Sequence, residues 1–411
     1  MRVLLSTFGT EGDVRPFVAL ARCLQDRGHE VAVSTADGFA GLVGDGGVPL
    51  VGFGNEWYDA MRMAMENAAG IPGILRQYPA LLASLQAALD QQWSVARDVA
   101  PDVVVFHPKT LAAPHIAERL DVPALLAIPL PVFHPTASYP SAMVPGLPRP
   151  LWGVGYRLAR GATAPYGGML NRFRSRLGLP AVRRPGIDLV NPDGSPRHVL
   201  YAYSPSVVPV PPEYPATAHV TGYWFLEQPA VEPAPEVRAF VDAGRPDLYI
   251  GFGSMGMGGL RDRLSHAVAG ALRRTGARAV VSIGWGGLDA SRLPPNALGV
   301  QHVPHDWLFP RVRAVVHHGG SGTVAAGLSA GRPTLVCPLL GDQPFWGARL
   351  HDIGAGPEPL RMKKLTADRL AGRITTLLSH PDFASRAEEV GASIREEHGT
   401  AVAADIIEQI A

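Results

Sequence analysis

Val315 to Gln343 read VVHHGGSGTVAAGLSAGRPTLVCPLLGDQ: an apolar run, a glycine turn, a helical pattern and a second apolar run. The run Ala314 to His317 reads as a buried strand that breaks at Gly319, Gly320 and Gly322, and Thr323 to Ser329 then reads as a helix. Glycine lets a backbone approach a ligand with no Cβ in the way, and the N–H groups of a helix's first turn attract anions. A phosphate suits such a turn. Ser321 and Thr323 add hydroxyl donors, and His318 offers an imidazole N–H or, when protonated, a charge-assisted hydrogen bond. Pro333 to Pro338 reads as another buried strand, with Asp342 and Gln343 just past its carboxyl end, the edge where open α/β sheets bind ligands. A carboxylate and an amide suit sugar hydroxyls. The glycines alone are shared with dinucleotide-binding folds and ordinary turns. His318 standing 24 residues before Asp342 makes the pattern far more specific, that of a diphosphate-sugar cradle.

Working outward, 411 residues are long for one core and fit two domains of about 200 each. Apolar residues at 46% and charged ones at 18% leave no compositional ground for long disorder. A net charge of +1 without a basic cluster argues against nucleic acid as a partner, and no polybasic run suggests a membrane surface or stable membrane anchoring. Cys23 and Cys337 supply neither a metal-ligand spacing nor a disulfide framework, which fits a reducing cytoplasm. MRVLLSTFG enters a strand without a cleavage-site pattern, and no run of about 20 apolar residues follows.

The first half opens with strand Arg2 to Ser6, a helix from about Arg15 to Arg27 and strand Glu30 to Ser34, the start of a βαβ unit. Apolar runs at Asp102 to Phe106, Ala124 to Ile128 and Val199 to Tyr203 alternate with helical patterns, so a mostly parallel sheet covered on both faces is expected. The second half starts again at Asp247 to Phe252, followed by strands Arg278 to Ile283 and Gly299 to Val303 and then the cradle. Residues 1–224 are read as one domain, the Pro- and Glu-rich residues 225–237 as a linker, 238–380 as the donor domain, and 381–411 as a terminal helical segment interrupted near Gly399.

The cradle resembles the donor-binding signature of nucleotide-sugar-dependent glycosyltransferases of the UDP-glycosyltransferase superfamily. Gly341 to Gly347, GDQPFWG, is similar to sterol and lipid glucosyltransferases and to bacterial enzymes that glycosylate antibiotic aglycones. The likeness is strongest from about Leu248 to Gly356 and at Gly9 to Pro16, and faint from about Gly54 to Tyr214, where acceptors are usually chosen. It implies two Rossmann-like α/β domains facing across a cleft, the GT-B fold, with the terminal helix returning over the first domain. The implied reaction is inverting transfer of a hexose or deoxyhexose from a UDP- or dTDP-sugar. The acceptor hydroxyl is expected on a hydrophobic natural product, an antibiotic or polyketide aglycone, with a sterol or lipid as the alternative. A sugar-nucleotide epimerase and a non-catalytic sugar-nucleotide-binding helper are further readings of the same architecture. No acidic pair of the metal-binding kind flanks the donor loop, so helix dipole and hydrogen bonds are expected to replace a divalent ion, with no cofactor.

Asp13, in the loop Gly9-Thr10-Glu11-Gly12-Asp13-Val14-Arg15-Pro16, resembles the family's proposed base; locally it reads equally as an N-cap of the following helix. An ordinary Asp titrates near 3.9, so either proton transfer is late or burial raises the carboxyl. Gly12 is read as a donor contact, and His107, just past a strand, as an assistant to Asp13 or a structural histidine of its loop. Ser254 resembles a diphosphate-contacting hydroxyl, or is a turn serine. Val303 lies in HVPHDWLFP, similar to the base-binding segment; Trp307 there reads as core or contact, and Trp285 as a wall of the nucleoside pocket. His317 is expected at the strand end and His318 toward the phosphates. Met61, Met63 and Met65 suggest an adaptable lid over an apolar acceptor or else helix core, and Phe133, His134 and Tyr139 are placed at the acceptor cleft.

Overall fold

In a computed structural model, the chain is described over residues 1–60, 71–182, 186–227, 232–253, 260–284 and 288–411, with main chain alone for 71–79 and 81. It divides into two compact units. The first comprises Met1–Pro205, Val210–Gln228 and His398–Ala411, and the second Ser206–Pro209 and Pro229–Glu397.

The first unit is built on a six-stranded parallel sheet. Its strands are β1 (Arg2–Ser6), β2 (Glu30–Ser34), β3 (Val103–Phe106), β4 (Ala124–Ile128), β5 (Val199–Tyr201) and β6 (Ala218–Val220), in the order β2-β1-β3-β4-β5-β6. β3 is VVVF and buried throughout, as a strand covered on both faces must be. Between β1 and β2 runs the helix Glu11–Asp26, whose Phe17, Val18, Leu20, Ala21 and Leu24 enter one core with Val3, Leu5, Val103 and Leu125. Ala403, Ala404 and Ile407 of the helix Gly399–Ile410 join that core. Arg27 ties the two helices by pairing with Asp405 at 2.6 Å and Glu408 at 3.1 Å. The segment after Pro381 is thus two helices, of which Pro381–Arg395 belongs to the second unit.

The second unit carries five parallel strands: β7 (Leu248–Gly251), β8 (Ala279–Ser282), β9 (Ala297–Val300), β10 (Ala314–His317) and β11 (Thr334–Val336). Their order is β11-β10-β7-β8-β9. The helix Ser321–Ser329 leaves β10, and Gln343–Asp352 follows β11. Two readings shift. The run taken as strand Gly299 to Val303 ends at Val300, because Pro304 caps the helix His305–Leu308 and the chain turns ahead of it. The first helix starts at Glu11 rather than near Arg15, because Thr10 and Asp13 cap it from both sides of its first turn. Among the described residues no helix is long and apolar enough to cross a membrane.

Candidate active site

Parallel pairing puts the carboxyl ends of β1 and β3 side by side, Ser6 opposite Phe106. The residues just beyond each end therefore meet. Asp13 sits at the third position of its helix and accepts the backbone N–H of Thr10 at 2.7 Å on Oδ2. This is the reciprocal half of a capping box, so the capping role is real, exercised from inside the helix with Thr10 as the N-cap. Oδ2 also accepts the Thr10 hydroxyl at 3.1 Å and the Lys109 ammonium at 2.8 Å. Oδ1 faces His107 Nε2 at 3.5 Å. His107 Nδ1 accepts the backbone N–H of Lys109 at 3.2 Å, so its neutral ring carries the proton on Nε2, pointed at Asp13. Gly9 makes room for the assembly: a Cβ there would lie 2.2 Å from Asp13 Oδ2 and 2.8 Å from Lys109 Nζ.

The electrostatics choose between the two alternatives for the Asp13 carboxyl. Burial pushes the Asp13 carboxyl up, but the Lys109 ammonium, His107 and the hydrogen bonds from Lys109 and Thr10 outweigh it, and the net shift is downward. Asp13 is thus an ionised carboxylate rather than one raised by burial. Burial lowers His107 to about 3 even against the neighbouring carboxylate, so it is neutral at physiological pH with its Nε2–H facing Oδ1. Lys109 escaped the sequence reading. Its signal was a cation two residues past His107 at a strand end, decipherable only once β3 is known to lie beside β1. Gly12, one residue before Asp13, is exposed on the helix's first turn.

In the second unit, Gly319 turns the chain at φ +98° and Gly320 caps the helix Ser321–Ser329. The first-turn N–H groups of Ser321 and Gly322 point out of the helix with the Ser321 and Thr323 hydroxyls beside them; all three residues are half-buried or exposed. His317 is fully buried, its Nδ1 accepting the Gly319 N–H at 2.9 Å and so pinning the turn. His318 lies wedged in the loop. A Cβ on Gly253 would come within 2.8 Å of its ring, and one on Gly320 within 2.7 Å of its Nε2. Burial lowers His318 to about 4, so at neutral pH it gives an N–H rather than a cation. The charge-assisted alternative does not apply to the resting loop.

Asp342 and Gln343 open the helix after β11. Asp342 Oδ2 accepts the indole N–H of Trp346, a fully buried side chain one turn on, at 2.9 Å. Gln343 is buried, and its Oε1 accepts the backbone N–H of Leu339 at 2.8 Å and of Leu340 at 3.2 Å, bracing the strand-to-helix loop. Its main-chain oxygen backs onto Gly319, where a Cβ would stand 3.1 Å from it, so the loops after β10 and β11 adjoin. Val303 is buried among Leu308, Phe309 and Val315, which leaves only its main chain to meet a ligand. Trp307 packs on that cluster with the Arg311 guanidinium 4.5 Å over its ring.

The acceptor side came out differently. Phe133, His134 and Tyr139 are buried, not arrayed along an open surface. His134 bonds the Tyr201 hydroxyl at 2.8 Å and Tyr139 the Tyr214 hydroxyl at 3.0 Å, within an aromatic cluster that closes the end of β5. The His134 ring nitrogen and the Tyr139 hydroxyl are thus bonded within that cluster. Met61, Met63, Met65, Ser254 and Trp285 lie outside the described residues. Among the described residues no cluster of three or more His, Cys, Asp or Glu is placed to hold a metal ion.

Residues 3–138 match the glycosyltransferase family 28 N-terminal domain, and residues 270–409 match the erythromycin biosynthesis protein CIII-like C-terminal domain. A sterol 3-beta-glucosyltransferase of Arabidopsis thaliana is 32% identical, over 98% of this chain and 67% of its own length. Another, of Aspergillus clavatus, is 33% identical over 99% of this chain but only 29% of its own, so this chain spans under a third of that relative. The solved glycosyltransferase VinC in complex with dTDP superposes with a TM-score of 0.69 at 22% identity, covering 100% of this chain and 99% of that one, which shows the same GT-B fold. The chain therefore belongs to the nucleotide-sugar-dependent glycosyltransferases of the UDP-glycosyltransferase superfamily, in the group that includes the sterol 3-beta-glucosyltransferases.

Proposed function

We propose that the chain is an inverting, metal-independent glycosyltransferase that moves a hexosyl or deoxyhexosyl group from a UDP- or dTDP-sugar to a hydroxyl of a lipophilic acceptor. The observation that carries this is Asp13: a carboxylate kept ionised by Lys109 and oriented by the His107 N–H. Oδ2 already accepts three hydrogen bonds, whereas among the described residues Oδ1 faces only His107 Nε2, at 3.5 Å, so Oδ1 is the oxygen that takes the acceptor's proton. As the acceptor oxygen bonds to the anomeric carbon, the bond from that carbon to the diphosphate breaks and its electron pair leaves on the diphosphate. A low-pKa base takes a proton late, once the alcohol oxygen has lost electron density to the sugar. On the donor side, the first-turn N–H groups of Ser321–Ser329, the Ser321 and Thr323 hydroxyls and the His318 N–H take the charge that develops on the leaving diphosphate, in place of a divalent ion. Asp342, held by Trp346, binds sugar hydroxyls, while Gln343 shapes the loop that presents it.

The acceptor proposed first is a polyketide or other antibiotic aglycone, in line with the erythromycin-type C-terminal domain. A sterol acceptor is a second reading, favoured by the Arabidopsis relative's name at 32% identity. The test incubates the EDTA-treated protein with UDP-glucose or dTDP-glucose and a panel of macrolide aglycones and sterols, with mass detection and NMR assignment of the anomeric linkage. A β-linked product from the α-linked donor supports the reading. Donor consumed without any acceptor, or a retained α linkage, counts against it.

A further inference from the structure

The chain-wide charge of +1 conceals a segment of very different character. Residues 122–187 contain eight arginines and no Asp, Glu or Lys, which leaves the rest of the chain net acidic. Apolar exposure is concentrated in the same stretch. Among the described residues eight large apolar side chains are strongly exposed, and three of them fall here: Met143 at 47%, Leu151 at 45% and Leu158, the most exposed of all, at 58%. Leu151 and Leu158 are seven residues apart, at the start and near the end of the helix Trp152–Arg160, hence two turns apart on one stripe. The helix buries its opposite side through Tyr156 and Ala159. Gly155 packs on Val144 and Leu147, which brings the chain following Met143 against the same helix.

Acids have been accounted for elsewhere. Glu118 is occupied by the buried Arg174 at 2.5 Å, Asp90 by Arg176 at 2.7 Å, and Glu213 by the Thr136 hydroxyl and the Ala137 N–H. Arg149, Arg157, Arg160 and Arg172 have no ion pair among the described residues, and Arg149 lies over the Trp152 ring at 5.9 Å. An unpartnered apolar stripe flanked by uncompensated guanidinium groups is a surface for something both apolar and anionic.

We propose that this face of the first unit, residues 143–160, docks reversibly on an anionic lipid bilayer, leucines toward the acyl boundary and arginines on the phosphates. A phospholipid surface meets both demands at once: headgroup phosphates attract the arginines, and the interface accepts Leu151, Leu158 and Met143. A second copy of the chain fits poorly, because two-fold pairing would set arginine against arginine. Docking of this kind would bring a lipophilic acceptor dissolved in the bilayer to the enzyme, an extension of the proposed reaction that does not rest on it.

The test is co-sedimentation of the whole chain with phosphatidylcholine vesicles, with and without phosphatidylglycerol, at low and high salt. The expected result is binding to the anionic vesicles that weakens as salt rises. The double variant Arg149→Gln/Arg157→Gln should bind roughly 25-fold more weakly, about fivefold per arginine. Leu151→Ser/Leu158→Ser should also bind more weakly, while both variants keep the wild-type melting temperature, since all four side chains are exposed. No sedimentation with anionic vesicles would overturn the proposal. So would equal sedimentation of wild type and variants, or a concentration-dependent dimer in light scattering that the leucine variant abolishes.

Discussion

Replacing Lys109 by methionine removes the ammonium that lies 2.8 Å from Asp13 Oδ2 while keeping the aliphatic stem. The Lys109 side chain is 48% exposed and that of Asp13 15%, so the pair is bathed by solvent on one side. With water's dielectric, two unit charges at that distance attract by about 1.5 kcal/mol, which is roughly tenfold in proton affinity and about one pH unit. A lower effective dielectric enlarges the effect, so one unit is the smaller end. Lys109→Met is therefore expected to move the acidic limb of the kcat/KM profile upward by about one pH unit or more. Above that limb, where Asp13 is ionised in both proteins, the rate should differ much less. His107 contributes no limb between pH 5 and 8, because burial holds it near 3. Stability follows the same linkage. Asp13 has a folded-state pKa below its unfolded value, so the pair stabilises the fold above about pH 4 and this contribution is lost as pH falls through the folded value. The variant should melt slightly lower at pH 7 and match wild type in acid. The assay is initial-rate kinetics from pH 4 to 9 on wild type, Lys109→Met and Lys109→Arg, with the arginine variant keeping the limb low. An acidic limb that stays put in Lys109→Met would refute the reasoning.

Asp13→Asn keeps the size of the side chain but gives up its basicity, so transfer should fall by about 10²–10⁴ while UDP or dTDP binding measured by calorimetry is unchanged. Gly320→Ala would place a methyl 2.7 Å from His318 Nε2, so His318 must move or the loop must shift. Overpacking of that kind costs about 1–3 kcal/mol, read as a lower melting temperature together with weakened nucleotide binding. Gln343→Leu should lower stability by about 1–3 kcal/mol in chemical denaturation, because the Leu339 and Leu340 N–H groups lose their acceptor.

The strand, glycine turn and helix after β10 were legible because they are local. They and the Asp342–Gln343 pair all lie within one continuous stretch, and short-range physics assigns each a place. What the sequence did not show is that the Gln343 amide oxygen accepts two main-chain N–H groups of its own loop. For Asp13 the local sequence left cap and base open, and the direction of its pKa shift stayed open too because it depends on a neighbour 96 residues away. Lys109 reaches it only because β3 is inserted next to β1, and strand order is invisible to periodicity. For His134 and Tyr139 the sequence could not show that the tyrosines of β5 and its flanking loops bond them, because those partners lie 64 to 75 residues away.

Calorimetric titration of the purified, EDTA-treated chain with UDP, dTDP, ADP and NAD tests the central claim most directly. Micromolar binding of UDP or dTDP, and of neither ADP nor NAD, is the predicted result. Binding of NAD, or of none of the four, would contradict it.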